Sequence, residues 1–248
     1  NEVAIKELVE LYYSYRQFQN AINFAQKCKT CTDADRIIAQ SYYELEDYGK
    51  AEKLLLNLVA KDPADAVSAY TLARTYLEMG QEGKSIPFYV KALQLDNTRS
   101  KWHFELGLIY YNTDNYKNAV ASFNKAAEHG FIRTNDFNEN LGFSYLYTGD
   151  YENGENLLKE IIARKPGDKE LLRDIGQAFY DRKMYDKCLS YCQMLMEMDM
   201  KDGKALYQAG LCFQKKGEKE KGQMMCDKAI EMDPSLAGKR HKKEIMGL

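Results

Sequence analysis

The side chains most able to do chemistry in this 248-residue chain are three histidines, six cysteines and one basic run. His103, His129 and His241 lie far apart along the sequence and form no paired-histidine zinc motif, so each reads as a surface or loop residue. Cys28-Lys29-Thr30-Cys31 is a Cys-x-x-Cys, which could be a redox pair or half a metal site. A redox pair of that kind opens a helix after a strand. Here it closes a helix in a chain with no predicted strand, and Cys28 takes the slot held by Ala92, Ala126 and Ala229 in later copies of the same segment. Core packing is therefore the favoured reading. Cys188 and Cys192, four apart on one helix, also hold packing slots, and a helix keeps them too far apart for an easy disulfide. Six small core thiols lean toward a reducing, cytoplasmic compartment, with an exported chain left open. The run at 239–243, Lys-Arg-His-Lys-Lys, could bind acidic lipid or nucleic acid, yet a solvated helix end is favoured because nothing else in the chain is strongly basic. No glycine-rich phosphate loop follows a strand, and there is no Gly-x-Ser-x-Gly elbow. The expectation is a non-enzyme with no catalytic, cofactor-binding or metal residues.

Bulk properties agree. A net charge of −2 argues against a nucleic-acid partner. No apolar run of roughly 18 residues is present, so no membrane span is expected. Hydrophobic residues make up 45% of the chain, enough for a buried core, and only four prolines are present, which suits helices. The chain opens on Asn1 rather than Met, as a trimmed or processed form would, which leaves a preceding signal peptide or further domain open.

What positions these residues is a repeat. An aromatic, Phe18, Tyr48, Tyr116, Tyr151 or Tyr185, opens one segment of each copy, with Glu82 and Lys219 in the same slot of two others. A small residue follows three positions later: Ala21, Ala51, Ser85, Ala119, Gly154, Cys188 and Gly222. A second small series precedes it: Val9, Ala39, Ala73, Gly107, Gly142, Gly176 and Gly210. All three series step together by 30, 34, 34, 35, 34 and 34 residues. Two antiparallel helices of about 13 residues with short turns consume roughly that length. Close crossing of the two helices calls for small residues at the contact. A large flat residue, Tyr12, Tyr42, Tyr76, Tyr110, Tyr145, Phe179 or Phe213, fills the gap beside it. Gly80, Gly149 and Gly217 mark the turn within a pair, Asp47, Asn115 and Asp150 cap the helix after it, and Pro63, Pro166 and Pro234 stop that helix.

The chain resembles a tetratricopeptide repeat array of about seven copies, shown best by Leu106, Gly107, Tyr110, Tyr116, Ala119, Phe123 and Ala126. The resemblance implies an all-α, right-handed superhelical solenoid of antiparallel helix hairpins, with first helices lining a concave face. One solenoid is expected over 1–236, with repeats at 2–31, 32–65, 66–99, 100–134, 135–168, 169–202 and 203–236, followed by a capping segment at 237–248 that uses Ile245 and Met246. The first copy is about four residues short, so its loop around Lys27–Asp33 is expected to be tight. Pro87 is expected to start its helix late or bend it. One residue inserted near Gly130–Asp136 is expected to offset the fourth and fifth copies.

Register then assigns the groove. Lys6, Glu10 and Tyr13 face it in the first copy, followed by Arg36, Gln40 and Tyr43. Tyr70, Arg74 and Leu77 come next, then Phe104, Leu108 and Tyr111. Glu139, Phe143, Leu146 and Tyr147 follow, then Arg173, Gln177 and Tyr180, and finally Tyr207 and Leu211. The middle of this list is aromatic and apolar, as interaction sites are, and charges flank it. The family's carboxylate clamp is not expected, because Glu10, Gln40 and Ile37 stand where asparagines would be. Asn140 alone matches, between Glu105 and Asp174. The leading expectation is a scaffold that binds an extended peptide or a helix of another protein, with the monomer favoured and a homodimer possible. The alternative is a structural, self-assembling module or the repeat portion of a larger multidomain protein.

Overall fold

The computed structural model describes residues 2–238. His241, the basic run at 239–243, Ile245 and Met246 lie outside that span. Fourteen α-helices follow one another: α1 (Glu2–Ser14), α2 (Phe18–Ala25), α3 (Ala34–Glu44), α4 (Tyr48–Lys61), α5 (Ala66–Glu78), α6 (Glu82–Leu95), α7 (Ser100–Asn112), α8 (Tyr116–Glu128), α9 (Asn135–Thr148), α10 (Tyr151–Arg164), α11 (Lys169–Asp181), α12 (Tyr185–Met198), α13 (Gly203–Lys215) and α14 (Lys219–Met232). A 3₁₀ turn, Pro234–Leu236, follows α14. Every even-numbered helix begins at the residue that opens the repeated segment, Glu82 and Lys219 included. Both series of small residues are buried in all seven copies. The repeat is thus a helical hairpin whose crossing point is set by its smallest side chains.

The closest crossings need glycine. A Cβ on Gly222 would stand 2.5 Å from the Gly210 carbonyl oxygen, and one on Gly210 would stand 2.7 Å from that of Gly222. Gly142 and Gly154 approach one another similarly in α9 and α10. Within each hairpin one residue takes a left-handed conformation. Gly80, Gly149 and Gly217 do so with φ of 67, 92 and 95°, while Arg16, Glu46, Asp114 and Lys183 do so at 59, 61, 57 and 61°. Asp47 and Asp150 cap α4 and α10 by accepting the N–H of Lys50 and Asn153, whereas the Asn115 side chain makes no cap bond.

The hairpins form two compact units that meet in sequence at Ile132 and Arg133, inside the stretch that carries the inserted residue. In the first unit Leu55, Leu72, Tyr89, Trp102 and Leu106 make the core. In the second, Leu141, Leu158, Leu172, Ile175, Phe179 and Tyr191 are buried.

Four details correct the sequence reading. Pro87 does not delay α6; the helix starts at Glu82 and continues through the proline to Leu95. The shortfall of the first copy falls on α2, which has only eight residues, and not on the loop after it. That loop holds a Cys28–Cys31 disulfide. Cys28 lies beyond the end of α2, so it misses the packing slot that alanine fills in longer copies. His103 is buried in α7 at 9% exposure and stacks on His129 with ring centroids 5.5 Å apart. Its Nε2 sits 2.9 Å from the Asn97 carbonyl, and burial pushes its pKa down.

Candidate protein-binding faces

In the first unit, α5 and α7 position the expected groove residues. Tyr70, Arg74, Leu77, Phe104, Leu108 and Tyr111 are all half-buried. Tyr70 stacks on Trp102 at 4.3 Å, and its hydroxyl donates to Glu105 Oε2 at 2.9 Å. The Tyr89 hydroxyl donates to the same oxygen at 2.9 Å, and Lys101 Nζ lies 3.7 Å from Glu105 Oε1. Tyr43 donates to Glu78 at 3.3 Å. Burial first, then the neighbouring Glu105 carboxylate, pushes the pKa of Tyr70 and Tyr89 upward, so both stay neutral donors. The Arg74 guanidinium lies 4.6 Å from the centre of the Tyr43 ring and 5.7 Å from that of Tyr70. Phe104 stacks on Phe131 at 4.3 Å, and Tyr111 meets Tyr116 edge-on at 5.7 Å.

In the second unit, three of the register-assigned residues are buried in the core. Leu146 is fully buried, Phe143 is 5% exposed and Tyr207 is 9% exposed. Leu146 packs where α9 crosses α10, close enough that a Cβ on Gly154 would stand 2.8 Å from its Cδ2. Phe143 and Leu146 support the face from behind, so substitutions there would report on folding and not on binding. Tyr147 is half-buried under the Arg182 guanidinium, 5.3 Å from its ring centre. Arg173 is held by Asp202 at 2.7 Å and Glu170 at 3.2 Å, while its buried Nε has no hydrogen-bond partner. Tyr180 is half-buried and meets Tyr185 edge-on at 5.6 Å.

A cavity of about 690 Å³ is lined mainly by the first helices α11 and α13, with α12, α14 and the 3₁₀ turn completing its wall. Arg173, Gln177 and Tyr180 line it from α11, and Tyr207 and Leu211 from α13. Cys192, Leu195, Cys226 and Leu236 complete its apolar part, and Lys204, Gln208, Gln214 and Gln223 its polar part. Asp174 also lines it, its pKa raised by burial and then by Glu170 and Asp168. The register pattern located Arg173, Gln177, Tyr180, Tyr207 and Leu211; the glutamines from neighbouring positions carried no signal of their own. Cys188 Sγ is 4.0 Å from Cys192 Sγ, and the Gln208 amide lies 3.9 Å from it. Among the described residues, no group of three or more His, Cys, Asp or Glu side chains could hold a metal ion.

Tetratricopeptide repeat family models match residues 66–99, 103–128 and 203–236, and a second such model matches 140–199. The chain belongs to the tetratricopeptide repeat (TPR) family. It is 24% identical over 167 residues to human Protein O-mannosyl-transferase TMTC1 and 26% identical over 171 residues to TPR repeat-containing protein MJ1428 of Methanocaldococcus jannaschii. Each match takes in 66% of this chain, but the chain spans only 18% and 29% of those relatives' lengths. Among solved structures it is similar to YrrB, described as a TPR protein with an unusual peptide-binding site. That similarity has a TM-score of 0.52 and 25% identity, covering 77% of this chain and 97% of YrrB. An all-α TPR array is a protein–protein interaction scaffold. No described helix is long and apolar enough to cross a membrane.

Proposed function

We propose that this TPR array is a non-catalytic scaffold whose first-helix faces bind an extended peptide or a helix of a partner protein. The observation that carries the reading is the cavity of about 690 Å³ in the second unit, which lies at the residues the register assigns to the groove. Its size suits a short stretch of chain, with apolar walls for side chains and a few polar groups to fix orientation. Four glutamine amides, Gln177, Gln208, Gln214 and Gln223, line it and can both donate to and accept from a peptide backbone. Helical walls already in place lower the ordering cost of binding. The likeness to a solved TPR protein with a peptide-binding site supports the same reading.

Leu211 is half-buried at the cavity wall, so it can be changed with less risk to the core than Phe143. Peptides selected from a random display library against the full chain should lose about 10-fold or more in affinity with Leu211→Glu, which places a charge against an apolar ligand surface. Helicity by circular dichroism should be unchanged. Equal affinity of the parent and the variant for every selected peptide would defeat the cavity as the site.

A further inference from the structure

Three arginines sit on described first helices: Arg36, Arg74 and Arg173. Two of them are used in the same way. Arg36 reaches Asp65 at 3.8 Å and Arg173 reaches Asp202 at 2.7 Å. In both cases the aspartate is the residue that caps the next first helix of the same unit. These two arginines therefore tie neighbouring repeats together.

Arg74 is different. Among the described residues no carboxylate stands within ion-pair distance of it, and its N–H groups make no hydrogen bond to the protein. It is half-buried and lies over the rings of Tyr43 and Tyr70 at 4.6 and 5.7 Å. The two carboxylates of this face are already engaged, Glu78 by the Tyr43 hydroxyl and Glu105 by Tyr70, Tyr89 and Lys101. A guanidinium stacked on aromatic rings has given up part of its side-chain freedom and its water, yet keeps its planar fork of donors unspent. Such a group gains most from an acceptor that uses two donors at once.

We propose that Arg74 is the seat for a carboxylate carried by the bound peptide, received in a bidentate pair, with Leu77 one turn further along α5 providing apolar contact beside it. The inference rests on the reading that the first-helix faces bind peptides. A carboxylate is favoured over a phosphate because Glu78 and Glu105 flank the site and would repel a dianion more strongly than a monoanion. The carboxylate can come from an aspartate or glutamate side chain or from a peptide's C-terminus. The seat is also distinct from the multi-asparagine clamp, whose slots hold Glu10, Gln40 and Ile37.

The test uses the full chain and three matched peptide-display libraries: one with a central Glu and an amidated end, one with a central Gln and an amidated end, and one with a central Gln and a free C-terminal carboxylate. Enrichment of the Glu library on the parent is expected. The affinity of its best peptide should fall about 10-fold or more on Glu→Gln exchange in the peptide or Arg74→Gln in the protein. Arg74→Lys, which keeps the charge and loses the flat fork, should restore only part of it. Enrichment of the free-carboxylate library with the same Arg74 dependence supports the seat and assigns its ligand to a chain end. Peptides that bind with no preference among the libraries, or equally to Arg74→Gln, overturn the seat and leave the peptide-binding reading standing. Enrichment from none of the three overturns both. Unchanged helicity of both Arg74 variants guards against loss of fold, and the conservative lysine variant keeps the result decisive.

Discussion

Single residues in this array divide by whether their polar groups are already satisfied. Glu155 shows the satisfied kind. It is 7% exposed in α10 and accepts from Lys187 at 2.5 Å, Lys159 at 2.9 Å and the Tyr191 hydroxyl at 3.1 Å. Burial alone would raise its pKa, but the hydrogen bonds from Lys187, Lys159 and Tyr191 outweigh it and hold the carboxyl below its ordinary value. A carboxyl lowered in the folded state contributes stability that is full above its unfolded value near 4.3 and is lost as pH falls through the folded one. Glu155→Gln should therefore cost about 1–2 kcal/mol at pH 7 and less at pH 3, read as the difference in urea midpoints at the two pH values. An equal cost at both would mean the carboxylate's charge is irrelevant. Side-chain pairing at this scale is the part least legible in the sequence. Arg173 and Arg74 both read as groove charges, yet only one is committed to an aspartate, Asp202, that lies 29 positions away. Likewise the Cys28–Cys31 pair depends on α2 ending at Ala25, and Cys28 sits in a periodic slot that reads as core.

At the scale of the element, the small-residue series decides how closely each hairpin closes, and glycine is not equally required throughout. Gly222 faces the Gly210 carbonyl at a distance no Cβ tolerates, whereas a Cβ on Gly176 would meet only the Tyr191 Cβ at 3.5 Å. Gly222→Ala must push α13 and α14 apart and should cost about 1–3 kcal/mol, seen as a lower Tm. Gly176→Ala adds an ordinary contact and replaces a poor helix former, so its Tm should equal or exceed that of the parent by the equivalent of up to about 1 kcal/mol. Reversed ranks would contradict the crossing geometry. Helix existence and register were legible because the small residues and the aromatics keep one period, and all seven second helices begin at the marked position. Helix accessibility was not legible. Whether Phe143 and Leu146 face water or core depends on how α9 meets its neighbours, and period alone does not encode that.

For the whole molecule, fold class and family were readable from repetition, and function follows from surface left over after packing. The register list included residues that build the units and residues that remain available. Burial, ion pairing and the cavity separate the two, leaving half-buried Tyr180 and Leu211 at the cavity wall of the second unit and the Arg74 face in the first. First-helix faces are thus expected to receive the partner. The measurement that bears on it most directly is hydrogen–deuterium exchange of the full chain with and without a library-selected peptide. Slowed exchange is expected in α11 and α13 around Arg173–Tyr180 and Tyr207–Leu211, or in α5 and α7 for peptides seated at Arg74. Slowed exchange confined to the second helices, with α5, α7, α11 and α13 unchanged, would contradict it.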